Sequence, residues 1–150
     1  MDPFRIMVVD DSPFMRKAIE RMLSSAPDIE VVATARDGQE ALDKLAEYKP
    51  DLIAINIADV TFNYARTLLK GINKKYGIPV LAGGPTPTLS PELFENEDCV
   101  DMLCIGEGEE ALVELAEAII GKKDYSNIKN IWVKKNGSII KNSLRPLKDL

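Results

Sequence analysis

Short runs of apolar, often β-branched residues alternate along this chain with stretches in which apolar positions recur every three or four residues. Such alternation predicts strand–helix crossovers that feed a parallel sheet buried on both faces. Five strands are expected, at Arg5–Val9, Glu30–Ala35, Asp51–Ile57, Val80–Ala82 and Val100–Ile105. After the first strand, Ser12 and Pro13 offer a helix cap and a first-turn proline, and the helix runs through Ala18, Met22 and Leu23. A second helix opens after the Asp37-Gly38 turn and repeats apolar residues at Ala41, Leu42, Leu45 and Ala46. The third, Thr61 to Tyr76, turns Ala65, Leu68, Leu69 and Ile72 toward the sheet and is stopped by Gly77 and Pro79. The last, Glu109 to Ile120, gathers Leu112, Leu115, Ala116 and Ile119 on one face before Gly121.

Two segments break this rhythm. In GGPTPTLSPELF, residues 83–94, three prolines and two glycines oppose a regular helix until about Pro91 to Glu95, so a long loop is expected. Farther on, IWVKKNGSIIK reads as a hairpin whose Asn136-Gly137 turn tolerates positive φ at both positions, and NSLRPLKDL reads as a linker. The whole predicts a flavodoxin-like, doubly wound, five-stranded parallel sheet of order 2-1-3-4-5, with a C-terminal β-hairpin. Ligands of such sheets bind beyond the carboxyl ends of the strands.

Composition narrows the function. With 150 residues and 45% hydrophobic content, one domain spanning residues 1–150 is expected. A net charge of −5 provides no basic face for nucleic acid or anionic membrane. Lys122, Lys123, Lys134, Lys135 and Lys141 read as a solvated hairpin surface. No apolar run approaches membrane-spanning length and MDPFR is unlike a signal peptide, so a cytoplasmic location is expected. Cys99 and Cys104 have neither metal-site spacing nor a disulfide framework, and read as core thiols. The chain has no histidine, which removes the commonest general base together with the commonest metal ligand.

Two sets of motifs carry chemistry, one in each half. Asp10 and Asp11 close the first strand, where adjacent carboxylates can hold a hard cation or simply cap the next helix. The stretch VVDDSPFMRKAIERML followed by PDIEVVATARDGQEALDKLAEYKPDLI resembles the first half of chemotaxis-type receiver domains, over about residues 4–53. That resemblance implies an acidic pair for Mg²⁺ and a phosphoryl-accepting aspartate at the end of the third strand. The acceptor position falls on Asn56, the hydroxyl position after the fourth strand on Gly84, and the lysine position after the fifth on Ile105. An amide is no adequate nucleophile and the charge-stabilising groups are missing, so phosphotransfer is not expected. Asp10, Asp11 and Asn56 are expected to hold Mg²⁺ only weakly.

From about residue 50 the chain instead resembles the cobalamin-binding domain of cobalamin-dependent radical-SAM proteins. The matching stretches are PDLIAINI, IPVLAGGPTPTLSPELF, VDMLCIGEGEEALVELAEAI and the hairpin with NSLRPLKDL. This resemblance implies a corrinoid ligand beside Gly83, Gly84, Thr86, Thr88, Gly106 and Gly108, where backbone without side chains permits close approach. Where the family often has histidine this chain has Thr86, so no imidazole would ligate cobalt, and no radical-SAM cysteine cluster follows. Glu107 and Glu109 suit the start of the last helix as well as they suit a ligand contact. Phe62 and Tyr64 are candidates for stacking on a planar ligand, with helix packing the alternative, and Trp132 is expected to pack against the last helix.

The change of resemblance inside one sheet suggests a recombined or engineered chain, receiver-like over 1–50, cobalamin-domain-like over 51–125, and hairpin and tail over 126–150. Such a chain is expected to have no catalysis of its own, and to retain cobalamin binding or, alternatively, to act as a non-phosphorylatable, receiver-like interaction module that binds Mg²⁺.

Overall fold

The computed structural model describes residues 2–58 and 63–147, without the side chains at positions 63–65, 67, 68, 73 and 74. Phe62 and the side chains of Tyr64, Ala65 and Leu68 lie outside the described residues. Strands β1 (Phe4–Val9), β2 (Ile29–Ala35), β3 (Leu52–Asn56), β4 (Val80–Gly83) and β5 (Met102–Cys104) run parallel in the order β2-β1-β3-β4-β5. The hairpin strands β6 (Ile131–Lys135) and β7 (Ser138–Ile140) add antiparallel beyond β5, so the sheet has seven strands rather than the expected five. The reason lies at the open edge of β5. Pairing Leu103 with Trp132 and Met102 with Val133 satisfies backbone groups that would otherwise face solvent along a short, fully apolar strand.

Helices cover both faces, as a sheet apolar on both sides requires. On one face Met7, Val9, Ile53, Ile55 and Leu103 pack with Ala41 and Leu45 of α2 (Gly38–Tyr48), Leu69 and Ile72 of α3 (Asn63–Tyr76), and Phe94. On the other, Ile6, Val8, Leu52, Leu81 and Met102 pack with Leu23 of α1 (Pro13–Ser24) and Ala111 and Leu115 of α5 (Glu109–Ile120). Local signals start these helices. The Ser12 hydroxyl accepts from Met15 N at 3.2 Å with Pro13 at the first position, and the Asp37 carboxylate accepts from Glu40 N at 2.8 Å.

Two expectations need correction. Residues 85–94 are not a loop up to Pro91: a short helix α4 (Pro85–Leu89) precedes a 3-10 turn (Pro91–Phe94). Pro85 and Pro87 fall in the first turn, where backbone N–H groups lack intrahelical partners, so the prolines remove nothing the helix uses. Trp132 does not pack against α5. It belongs to the opposite face, with the cluster containing Phe94 and Leu103, and its indole N–H donates to Asn142 O at 3.2 Å. Strand alternation explains this, since Ile131 and Val133 point to the α5 side and Trp132 to the other. The Asn136-Gly137 turn has φ of 53° and 79°, as a two-residue hairpin demands.

Phe94 is fully buried and anchors the 3-10 turn to the sheet. Phe94→Ala should lower unfolding stability by about 3–5 kcal/mol, read as a reduced urea midpoint with an unchanged m-value.

Candidate functional site

Polar side chains collect where the parallel strands end. Asp10 follows β1 with its residue only 1% exposed, although Asp11 beside it is exposed. A carboxylate this buried needs donors. Its Oδ1 accepts from Ser12 N at 2.9 Å and its Oδ2 from Asn56 Nδ2 at 2.8 Å. The Arg16 guanidinium donates to the Asp10 carbonyl at 2.7 Å. Burial pushes the Asp10 carboxyl above its ordinary range, the Ser12 and Asn56 donors pull the other way, and the neighbouring Asp11 carboxyl raises it further.

Asn56 also reaches β4. A Cβ on Gly84 would lie 1.9 Å from Asn56 Oδ1 and 3.1 Å from Ile57 N, and Gly84 has φ of 101°. Position 84 is therefore closed to any side chain for reasons internal to the fold. Beyond it Ile57 N donates to Gly83 O at 2.8 Å and Thr86 N to Ile57 O at 3.0 Å, which binds the start of α4 to the end of β3. The Thr88 hydroxyl accepts from Gly106 N at 2.9 Å, so the turns after β4 and β5 are joined directly.

The six residues singled out for cofactor contact thus lie side by side at one edge, together with Asp10 and Asn56. Their small size has internal causes as well. A Cβ on Gly83 would meet Cys104 Cβ at 3.5 Å, one on Gly106 would meet Asn130 Nδ2 at 3.2 Å, and one on Gly108 would meet Cys104 Sγ at 3.2 Å. Thr86 is buried, whereas Gly106 and Glu107 are exposed. Ile105, at the position of the receiver lysine, is buried. Both cysteines are buried free thiols, and burial pushes the Cys104 thiol up to about 11. Among the described residues no group of three or more acidic, cysteine or histidine side chains is arranged to hold a metal. No helix among them is long and apolar enough to cross a membrane.

Asn130 went unnoticed in the sequence. It is 3% exposed with φ of 73°, its Nδ2 donates to Ile105 O at 2.7 Å, and its Oδ1 accepts from Arg145 N at 2.9 Å. Asparagine ahead of a strand signals a turn at most, and its partners lie 25 and 15 positions away.

These features define a class first: a doubly wound α/β domain whose polar groups converge at the carboxyl ends of its parallel strands. A family model of the B12 binding domain matches residues 10–116, and the chain belongs to that family. It is also similar to the protein-glutamate methylesterase/protein-glutamine glutaminase of Geobacillus kaustophilus, 39% identical over 92 residues, 61% of this chain and 26% of the relative. A protein of the same description from Methanospirillum hungatei is 55% identical over 53 residues, 35% of this chain and 16% of the relative. The chain spans about a quarter or less of the length of these relatives.

Among solved structures, the radical S-adenosylmethionine methyltransferase TsrM from Kitasatospora setae, with cobalamin and a [4Fe-4S] cluster bound, has the same fold. The TM-score is 0.73 at 19% identity, covering 97% of this chain and 30% of that one. The response regulator domain of Thermotoga maritima CheB matches with a TM-score of 0.57 at 28% identity, covering 80% of this chain and 92% of that domain. Both resemblances legible in the motifs are therefore present among the relatives of this chain.

Two measurements check the edge. Because the folded Asp10 pKa is raised, the folded state binds more protons than the unfolded one between the ordinary value of 3.8 and the raised value. Stability contributed by this group therefore rises as pH falls through that window. Asp10→Asn should flatten that part of the melting-temperature profile while leaving the rest in place. Gly84→Ala should cost about 2–4 kcal/mol from strain and overlap, and in an Asn56→Ala background the cost should fall by at least about 1 kcal/mol. Equal costs in the two backgrounds would show that Asn56 does not close position 84.

Proposed function

We propose that this chain is a corrinoid-binding module with no catalysis of its own. The carrying observation is the B12 binding domain match across residues 10–116, a span that contains the edge where the Gly84–Thr88 and Gly106–Gly108 turns are tied together. The residues present fit the periphery of a corrinoid. The exposed backbone at Gly106 and Glu107 and the partly open Gly83, Gly84 and Thr88 present peptide groups to a ligand laid across β4 and β5. They supply no ligand to cobalt, since the chain has no histidine. A bound corrinoid would bring organometallic chemistry at cobalt, while the chain's own groups bind and orient it. Thr88 holds the Gly106 turn, and Asn56 holds the Gly84 turn.

We further read the chain as recombined or engineered, receiver-like over residues 1–50 and cobalamin-domain-like over 51–150, on the motifs of its two halves; the two kinds of relative support both likenesses, each in fold over most of the chain, and mark no junction. A second reading, a receiver-like interaction module that binds Mg²⁺ at Asp10, Asp11 and Asn56, is favoured by the 28% identity to the CheB domain. It requires the Asp10 carboxylate to exchange the Ser12 and Asn56 donors for a cation.

Titration with hydroxocobalamin and methylcobalamin, followed by visible absorbance and equilibrium dialysis, separates these readings. Saturable binding near one equivalent is expected, and Thr88→Val, which removes the acceptor of Gly106 N, should weaken it by about tenfold, about 1.4 kcal/mol. A folded protein that binds neither corrinoid, yet melts at a higher temperature in millimolar Mg²⁺ in a manner lost in Asp10→Asn, would overturn the corrinoid reading in favour of the second.

A further inference from the structure

Beyond β7 the chain comes back to the same edge. Asn130 N donates to Ser143 O at 2.9 Å, Arg145 N donates to Asn130 Oδ1 at 2.9 Å, and the Arg145 guanidinium donates to Lys129 O at 2.8 Å. That guanidinium also pairs with Glu110 at 3.6 Å and with Glu114, both on α5. Residues 143–147 are thereby strapped over the β5–α5 turn. Between strap and turn lies a pocket of about 60 Å³ whose lining includes Gly106, Glu107 and Glu109 of the turn and Leu144, Arg145 and Leu147 of the strap.

Two properties of this pocket point to what it takes. The strap is held by polar contacts, and its apolar side chains are left uncovered at the rim, Leu144 55% and Leu147 81% exposed. The pocket's charged lining is Glu107, Glu109 and Glu110 against the one cation of Arg145, which is already paired with Glu110 and Glu114, so the excess charge is negative and favours hydrogen-bond donors over anions. The volume admits a short side chain and excludes a macrocycle. A primary carboxamide has two N–H donors for the carboxylates and a short methylene stem for the leucines.

We propose that the 143–147 strap forms one wall of the ligand site, and that this pocket takes one of the propionamide side chains b, d or e projecting from the rim of a corrin ring. The inference rests on the corrinoid reading above. In it Glu107 contacts the ligand, and Asn130 and Arg145 are positioning residues that fix the strap.

The test uses the full chain and measures dissociation constants for cyanocobalamin and its separate b-, d- and e-monocarboxylic acid derivatives. Wild type, Glu107→Gln, Arg145→Ala and Arg145→Lys are compared, with hydrogen exchange at the Arg145 amide as the readout of the strap. One monoacid should bind at least about tenfold more weakly than cyanocobalamin, and Glu107→Gln should recover most of that loss. Arg145→Ala should speed exchange at residue 145, weaken cyanocobalamin by about tenfold and abolish discrimination among the acids, with Arg145→Lys between it and wild type. If wild type binds cyanocobalamin but treats all three acids alike, or if Arg145→Ala binds as tightly or more tightly, the pocket assignment fails and the corrinoid reading stands. Wild type that binds none of these ligands overturns both.

Discussion

Asn56 ends β3 at the point where the loops after β1 and β4 meet, and its amide answers two demands at once. Its nitrogen donates to a carboxylate that has lost nearly all contact with water, and its oxygen fills the space that a side chain at residue 84 would occupy. The rest of the edge follows from that placement. Gly84 can turn directly into α4, Thr86 N returns to Ile57 O, Thr88 accepts from Gly106 N, and the Gly106 turn lies against Asn130, which holds Arg145. One line of contacts thus runs from the first strand to the tail, across both stretches of the chain that resemble different families.

The same amide bears on the receiver resemblance. An aspartate at position 56 would bring a second carboxylate to hydrogen-bonding distance of Asp10, and like charges so placed cannot both ionise without a cation or lysine to offset them. This chain has buried Ile105 where such a lysine would reach in. A neutral donor at 56 lets Asp10 be buried with both carboxyl oxygens hydrogen-bonded and no second carboxylate beside it on that side.

How far the sequence could be read depends on how local each cause is. The parallel strands, the Ser12 cap and the Asn136-Gly137 turn were legible because apolar periodicity, capping and turn chemistry act within a few residues. Residues 85–89 were misjudged because proline was weighed as a helix breaker rather than as a first-turn residue. The seven-stranded extent of the sheet and the side to which Trp132 turns depend on the pairing of β6 with β5, a contact between residues about thirty apart. The glycines of the edge could be picked out as close-approach positions but not assigned a cause, since closeness to a ligand and closeness to Asn56, Cys104 or Asn130 leave the same residue in the sequence. Asn130 and Arg145 left no local signal at all.

That double origin of glycine bears on how the edge recognises anything. The faces of Gly83, Gly84, Gly106 and Gly108 that lack a side chain look inward, so a ligand meets their peptide groups rather than a vacated volume. Recognition must then come from outward backbone, from the strap that flanks Gly106, and from the charge of the rim. Asp11 and Glu107 are exposed there, while Arg16 and Arg145 are committed to Asp10 O and to Lys129 O and the α5 glutamates. An edge with exposed carboxylates and its arginines already engaged favours ligands that donate hydrogen bonds and disfavours those that present an anion. The rim of a corrin ring, dense in carboxamides, meets that condition, and its nucleotide phosphate does not. On the corrinoid reading, the part of the ligand nearest Gly106 and Glu107 would be the ring rim, with the phosphate turned away from this end of the sheet.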